Sequence, residues 1–346
     1  MYGVLRIALL LVVAIVVTEC TPFKDSGGTA SSEAGSEAGS TGDSGSDDDG
    51  PAACDGSTCD IEPVLSGLLQ GGTIAVDDVN VYVEDQGTTT GQVLQCPKIG
   101  CSMPTTLGPG YATGIASDSQ YVYWNDFGGG TIVRCAIGGC ENQPTVISPN
   151  QPHAEGLSFD GANLYWAAVG DILTCPSPAC GSPTILATGQ SSLITSTTAE
   201  TAVVYWMSSG SVLGCAASGC GQKPKTISSS AAGPYGSDVV VVDGFAYYTS
   251  GNSIVSCPVT SACAYPRTIG ASSAPFGLAS DGTDVYWLDV DIAKVYRCPV
   301  VGCVGSAEVF ADQSSFDPAG EVGTNVALDG EYAYWADPVA VYRKHK

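Results

Sequence analysis

The chain has 346 residues, with 15 cysteines, 44 glycines, two histidines and a formal net charge of −23 from 12 Lys and Arg against 35 Asp and Glu. Nucleic-acid binding needs clustered basic side chains to neutralise phosphates, so this balance excludes it. The cysteine content points away from a reducing cytosol, and two histidines leave little for His-based metal or triad chemistry.

The short segment Met1 to Arg6 carries one basic side chain, Arg6, and is followed by an unbroken apolar run, Ile7 to Val17 (IALLLVVAIVV). The run is too short to span a bilayer, which takes about 20 residues, and reads as the core of an export signal. Val17-Thr18-Glu19-Cys20 resembles a bacterial lipobox, with Glu19 where a small residue is usual. The resemblance implies that residues 1–20 are a signal peptide with a lipobox-like Cys20 as the lipidation site. The alternative is an ordinary secretory signal with Cys20 removed or free. Residues 21–53 are almost all Gly, Ser, Ala, Asp and Glu. They carry too little apolar surface to offset the entropy of ordering, which predicts a disordered acidic tether. Asp47-Asp48-Asp49 lacks the spaced ligands of a calcium loop and reads as solvated linker.

From residue 73, within a domain expected to span 54–346, the chain repeats a pattern with a period of about 40 residues. Each unit starts with a short apolar stretch ending in a carboxylate, clearest in Gly114–Asp118, Gly156–Asp160, Gly277–Asp281 and Val326–Asp329. An aromatic pair follows: Tyr123-Trp124, Tyr165-Trp166, Tyr205-Trp206, Tyr247-Tyr248, Tyr286-Trp287 and Tyr334-Trp335, with Tyr82-Val83 in that place in the first unit. A third strand then runs into a cysteine, a second cysteine closes a turn, and a fourth strand follows. Four short strands per unit at this period predict an all-β, seven-bladed propeller of four-stranded blades, its aromatic pairs packed between neighbouring blades.

The cysteines pair by spacing as Cys96-Cys101, Cys135-Cys140, Cys175-Cys180, Cys215-Cys220, Cys257-Cys263 and Cys298-Cys303. The last unit ends at its third strand, while Cys54-Cys59 followed by Glu62-Pro63-Val64-Leu65-Ser66 reads as a cysteine turn and fourth strand with nothing before it. The N-terminal strand is therefore expected to complete the last blade and close the ring, giving one disulfide per blade. Seven pairs leave Cys20 as the odd cysteine, and lipidation would dispose of its thiol. Zinc is disfavoured because the pairs belong to different blades and would not converge.

The Tyr-Trp strands resemble those of YWTD and NHL-type β-propellers, in Tyr123-Trp124-Asn125-Asp126, Tyr286-Trp287-Leu288-Asp289 and Tyr334-Trp335-Ala336-Asp337. No copy is a full YWTD, and Ala168, Ser208 and Ser250 replace the final Asp in the third to fifth units. With its acidic tether, the whole chain is similar to uncharacterised Gram-negative bacterial surface lipoproteins. The resemblance implies ligands over the central channel, on the face lined by the loops leading into each innermost strand. Those loops supply Tyr111, His153, Glu155, Tyr235, Asp238, Phe276 and Glu321, and the Gln313–Thr324 connection is longer than its counterparts. Exposed aromatics among polar groups suit a protein or glycan partner. The expectation is a non-catalytic binding or scaffold module without a cofactor, a monomer touching the membrane only through its anchor. Its expected location is the outer membrane, periplasmic or surface-exposed. The alternative is a calcium-type metal-dependent hydrolase or lyase, for which Glu155, Asp238 and Glu321 are the metal candidates; no G-x-S-x-G, Walker or HExxH motif occurs.

Overall fold

The computed structural model describes residues 61–190, 197–200, 202–229, 238–312 and 325–346. The chain divides into two units, Met1–Ala53 and Cys54–Lys346, and every described residue belongs to the second. The expected signal segment with Cys20, the expected tether and cysteine pair Cys54-Cys59, and Tyr235 and Glu321 lie outside the described residues.

The order of elements is a strand β1 (Glu62–Ser66) and then repeated groups of four. The first two groups are β2 (Gly71–Val76), β3 (Asn80–Asp85), β4 (Gln92–Pro97), β5 (Thr105–Pro109), and β6 (Ile115–Ser117), β7 (Tyr121–Asp126), β8 (Thr131–Ala136), β9 (Thr145–Ser148). The third and fourth are β10 (Glu155–Phe159), β11 (Asn163–Ala168), β12 (Asp171–Pro176), β13 (Thr184–Ala187), and β14 (Thr197–Glu200), β15 (Val203–Ser208), β16 (Ser211–Ala216), β17 (Lys225–Ser228). Next come β18 (Val239–Val242), β19 (Phe245–Ser250), β20 (Ser253–Pro258), β21 (Arg267–Ala271), and β22 (Pro275–Ser280), β23 (Asp284–Asp289), β24 (Lys294–Pro299), β25 (Glu308–Asp312). The last group has three strands, β26 (Val326–Leu328), β27 (Tyr332–Ala336) and β28 (Ala340–His345).

Each of the first six groups is one antiparallel sheet in chain order, and the seventh sheet runs β1-β28-β27-β26. The innermost strands touch in a closed cycle, β2 to β6, β10, β14, β18, β22, β26 and back to β2. This is a seven-bladed propeller, and the N-terminal strand completes its last blade. Glu62 pairs with Arg343 in the β1–β28 register, and their side chains form an ion pair of 2.7 Å.

The aromatic pair follows from strand geometry, since adjacent residues point to opposite faces of a sheet. Each blade therefore gives its first aromatic to the next interface and its second to the preceding one. Tyr82 packs with Trp124, Tyr123 with Trp166, Tyr165 with Trp206 and Tyr205 with Tyr248. Tyr247 then packs with Trp287, Tyr286 with Trp335, and Tyr334 with the Val83 side of blade one. All five tryptophans are fully buried. At about 1.5–3 kcal/mol for each large side chain, these interfaces hold much of the ring together.

The repeated Asp fixes the first hairpin of a blade. Asp118 accepts the N–H groups of Gln120 and Tyr121, both at 2.7 Å, and the Tyr123 hydroxyl at 2.6 Å. Asp77, Asp160 and Asp329 do the same with Tyr82, Tyr165 and Tyr334. One carboxylate thus ends the turn and satisfies the hydroxyl of an otherwise apolar ring.

Six disulfides staple blades one to six, between the pairs beginning at Cys96, Cys135, Cys175, Cys215, Cys257 and Cys298. In blade seven the third-strand cysteine is replaced by Lys344, which sits opposite Ala333 as Cys135 sits opposite Val122. The Lys344 ammonium donates to the Phe310 carbonyl at 2.8 Å. In other blades a bridge sulfur meets the equivalent carbonyl, as Cys298 does at Ile269. A charge-assisted hydrogen bond takes over that inter-blade contact at the ring junction.

Candidate functional site at the channel mouth

The innermost strands converge, and the first-strand glycines reflect that crowding. A Cβ on Gly114 would lie 2.4 Å from the Leu157 nitrogen of the next blade. Gly156 and Gly277 have φ of 61° and 66°, where a side chain is disfavoured. Each sits in a register shift, between Glu155 and Ser158 in one strand and between Phe276 and Ala279 in the other. Such bulges re-aim the residue at the start of a strand, and here Glu155 and Phe276 open onto a shared cavity.

That cavity has a volume of about 370 Å³ and is lined from six blades. The starts of β2, β6, β10, β22 and the residues before β18 and β26 form its wall, with Glu84 and Gln86 from the end of β3. Two clasps tie neighbouring blades at its rim. Asp238 accepts the Gly277 N–H at 2.6 Å. Asn325 accepts the Ile74 N–H at 2.9 Å and donates to the Ile74 carbonyl at 2.8 Å.

Three carboxylates line the cavity, Glu84, Glu155 and Asp238, and no Lys, Arg or His of the described residues does so. Glu84 is only 1% exposed. Its burial pushes the carboxyl up to about 7, against the opposing effect of hydrogen bonds from Gln86 and the Thr73 and Ala112 amides. Burial also raises Glu155, which nearby His153 partly offsets.

Of the residues expected from sequence, Glu155, Asp238 and Phe276 meet in this cavity. Tyr111 and His153 are not among its lining residues. The Tyr111 hydroxyl donates to the Thr88 carbonyl at 3.3 Å, folding it over the β3–β4 turn. His153 is exposed and lies edge-on to Phe127 with ring centroids 4.9 Å apart. Among the described residues, no three His, Cys, Asp or Glu come close enough to hold a metal ion; Glu321, the third metal candidate, is not one of them. Sequence reasoning missed Glu84, Gln86 and Asn325. A signal was present for Glu84: in the other blades its place is held by Asn125, Ala167, Met207, Thr249, Leu288 and Ala336, none of them charged.

Two outer clefts compete as sites. The larger, about 520 Å³, lies between blades seven and one at Lys98, Asp329, Tyr334 and Arg343. Its two cations are already matched, Lys98 to Asp329 at 2.5 Å and Arg343 to Glu62. The smaller, about 300 Å³, lies between blades five and six beside Tyr265 and Arg267. The mouth differs from the larger cleft in holding carboxylates with no protein cation lining it.

No family model and no curated protein sequence matches the chain. Among solved structures the chain is similar to virginiamycin B lyase from Staphylococcus aureus, at 12% identity and a TM-score of 0.66 over 82% of this chain and 98% of that one. The computationally designed Ika8 protein matches at 12% identity and a TM-score of 0.56 over 82% and 99%. PorZ, a bacterial surface component of the type-IX secretion system of Porphyromonas gingivalis, matches at 12% identity and a TM-score of 0.52 over 81% of this chain and 37% of that one. The chain shares the propeller fold of a lyase, a designed protein and a surface component of a secretion system.

Proposed function

We propose that the protein is an exported, non-catalytic binding module that holds a protein or glycan ligand at the mouth of its channel, anchored at the outer membrane through lipidated Cys20. The observation that carries the binding role is the mouth cavity itself: six blades contribute to it, and polar groups and one aromatic ring, Phe276, converge on it. A cavity of this size with few directed polar groups is what small-ligand recognition requires. Six disulfides among the described residues support export, since such bridges persist in oxidising compartments.

The test is a thermal-shift screen of glycan and peptide fragments on the full chain, repeated on Phe276→Ala. Fragments that raise the melting temperature of the wild type and lose their effect in the variant support the reading. Fragments whose effect survives Phe276→Ala and Asp238→Asn but disappears on changing Tyr265 or Lys98 would move the site to an outer cleft. Mass spectrometry of the mature N-terminus tests the anchor: a diacylated or triacylated Cys20 is expected, and an unmodified N-terminus would rule it out.

A further inference from the structure

We infer that the mouth cavity receives a small organic cation, an ammonium group on a short apolar frame, held by Glu84, Glu155 and Asp238 with Phe276 as its aromatic wall. This rests on the mouth being the binding site and goes on to name the ligand's chemistry. A carboxylate removed from water demands either a proton or a counter-charge, and no Lys, Arg or His of the described lining supplies one. Independent of that charge, polar atoms behind the wall lack partners among the described residues. Asn125 is fully buried and donates to Thr113 of the lining at 2.8 Å, yet its Oδ1 has no hydrogen-bond partner among the described residues. Thr249, 1% exposed, donates its N–H to the Asp238 carbonyl, and its hydroxyl is likewise without a partner among them. Two buried polar atoms behind the wall are thus unsatisfied among the described residues, one of them, Asn125 Oδ1, an obligate acceptor.

A hard metal ion needs about six to eight oxygens closing on one point, and among the described residues no such group of three acids exists. Carboxylates spread around some 370 Å³ suit a polyatomic cation instead, and aromatic faces attract ammonium groups. Binding must keep Glu84 ionised. The groups around it are Asp85 on its own strand, Gln86, the amides of Thr73 and Ala112, and across the cavity Glu155, with His153 beside it, and Asp238. A cation there displaces the Glu84 proton, so affinity rises with pH through neutrality.

Isothermal titration of the full chain with 1,5-diaminopentane and with glucosamine tests this, with 1,5-pentanediol and N-acetylglucosamine as uncharged counterparts. Either ammonium compound should bind where its counterpart does not, and which of the two binds tells a lysine-like side chain of a protein from an amino sugar of a glycan. Binding of 1,5-diaminopentane, whose amines stay protonated throughout, should release a proton near neutral pH and tighten about tenfold from pH 6 to pH 8, the change in the ionised fraction of a group titrating near 7. Glu84→Gln, and separately the half-buried Glu155→Gln, should each weaken binding about tenfold or more. Equal binding of charged and uncharged compounds, or no binding of either cation, would overturn the inference. If neutral fragments bind and Phe276→Ala abolishes them while cations do not bind, the mouth stands as the site and only the cation is wrong. Cations whose binding ignores Glu84→Gln, Glu155→Gln and Asp238→Asn would defeat both readings.

Discussion

Glu84 offers a quantitative test because its titration reports directly on its burial. The carboxyl is pushed up from 4.5 to about 7, chiefly by burial. Between those two values the folded protein holds a proton that the unfolded chain has released. Stability must therefore fall as pH rises through this window and stop falling, for this group, above about 7. At 1.36 kcal/mol for each tenfold change, the gap amounts to about 3 kcal/mol. Glu84→Gln keeps the shape and removes the titration. Any loss of hydrogen-bond quality with Gln86 and the Thr73 and Ala112 amides is a constant offset, and every other carboxylate cancels in the comparison. Urea unfolding of both proteins at about pH 4 and about pH 9 should show the variant gaining about 3 kcal/mol on the wild type between the two conditions. An offset that is the same at both pH values would refute the claim that this carboxyl is desolvated in the mouth wall.

Further outcomes follow from the ring itself. Trp124→Ala, which empties a fully buried site between blades one and two, should cost about 3–5 kcal/mol in chemical denaturation; a cost under about 1 kcal/mol would mean the interface does not depend on it. Asp329 is lowered to about 2: burial works against this, but hydrogen bonds from Lys98, the Tyr332 and Glu331 amides and Tyr334 outweigh it. Its stabilisation is present above the ordinary 3.8 and disappears as pH falls toward about 2, so Lys98→Met should move acid unfolding to higher pH, and an unchanged midpoint would count against the ion pair. Removing the bridge in Cys175→Ala/Cys180→Ala should cost about 2 kcal/mol from loop entropy, with no loss meaning that the outer turn holds without it. Thiol labelling of the protein produced in an oxidising compartment should find no more than one free cysteine.

The fold was legible in the sequence because a propeller writes each structural need once per blade. Tyr-Trp records two interfaces on opposite faces of one strand, the Asp before it records the hairpin turn, and the paired cysteines record the outer staple. Ring closure was legible from a mismatch, since Glu62–Ser66 had no strands before it and Tyr332–His345 had no fourth strand after it. The site was less legible. Glu155, Asp238 and Phe276, which line the cavity, each stand five residues before the turn Asp of their blade, whereas Tyr111 and His153 stand seven before it and do not line the cavity; the Tyr111 hydroxyl turns to Thr88. The offset from the turn Asp separates the two groups: Thr113, five residues before Asp118, lines the cavity where Tyr111 does not. Glu84 was hidden for a different reason. It reads as the polar end of a strand, and only comparison across blades shows a carboxylate where the other copies carry an uncharged side chain.

The central claim is that function resides at the channel mouth. Hydrogen exchange of the full chain, with and without the tightest ligand from the fragment and amine screens, tests it most directly. Added protection is expected at the amides of 73–74, 112–115, 155–157 and 276–278, which line the cavity or clasp its rim. Protection confined to the outer clefts around Lys98 or Tyr265 would contradict it.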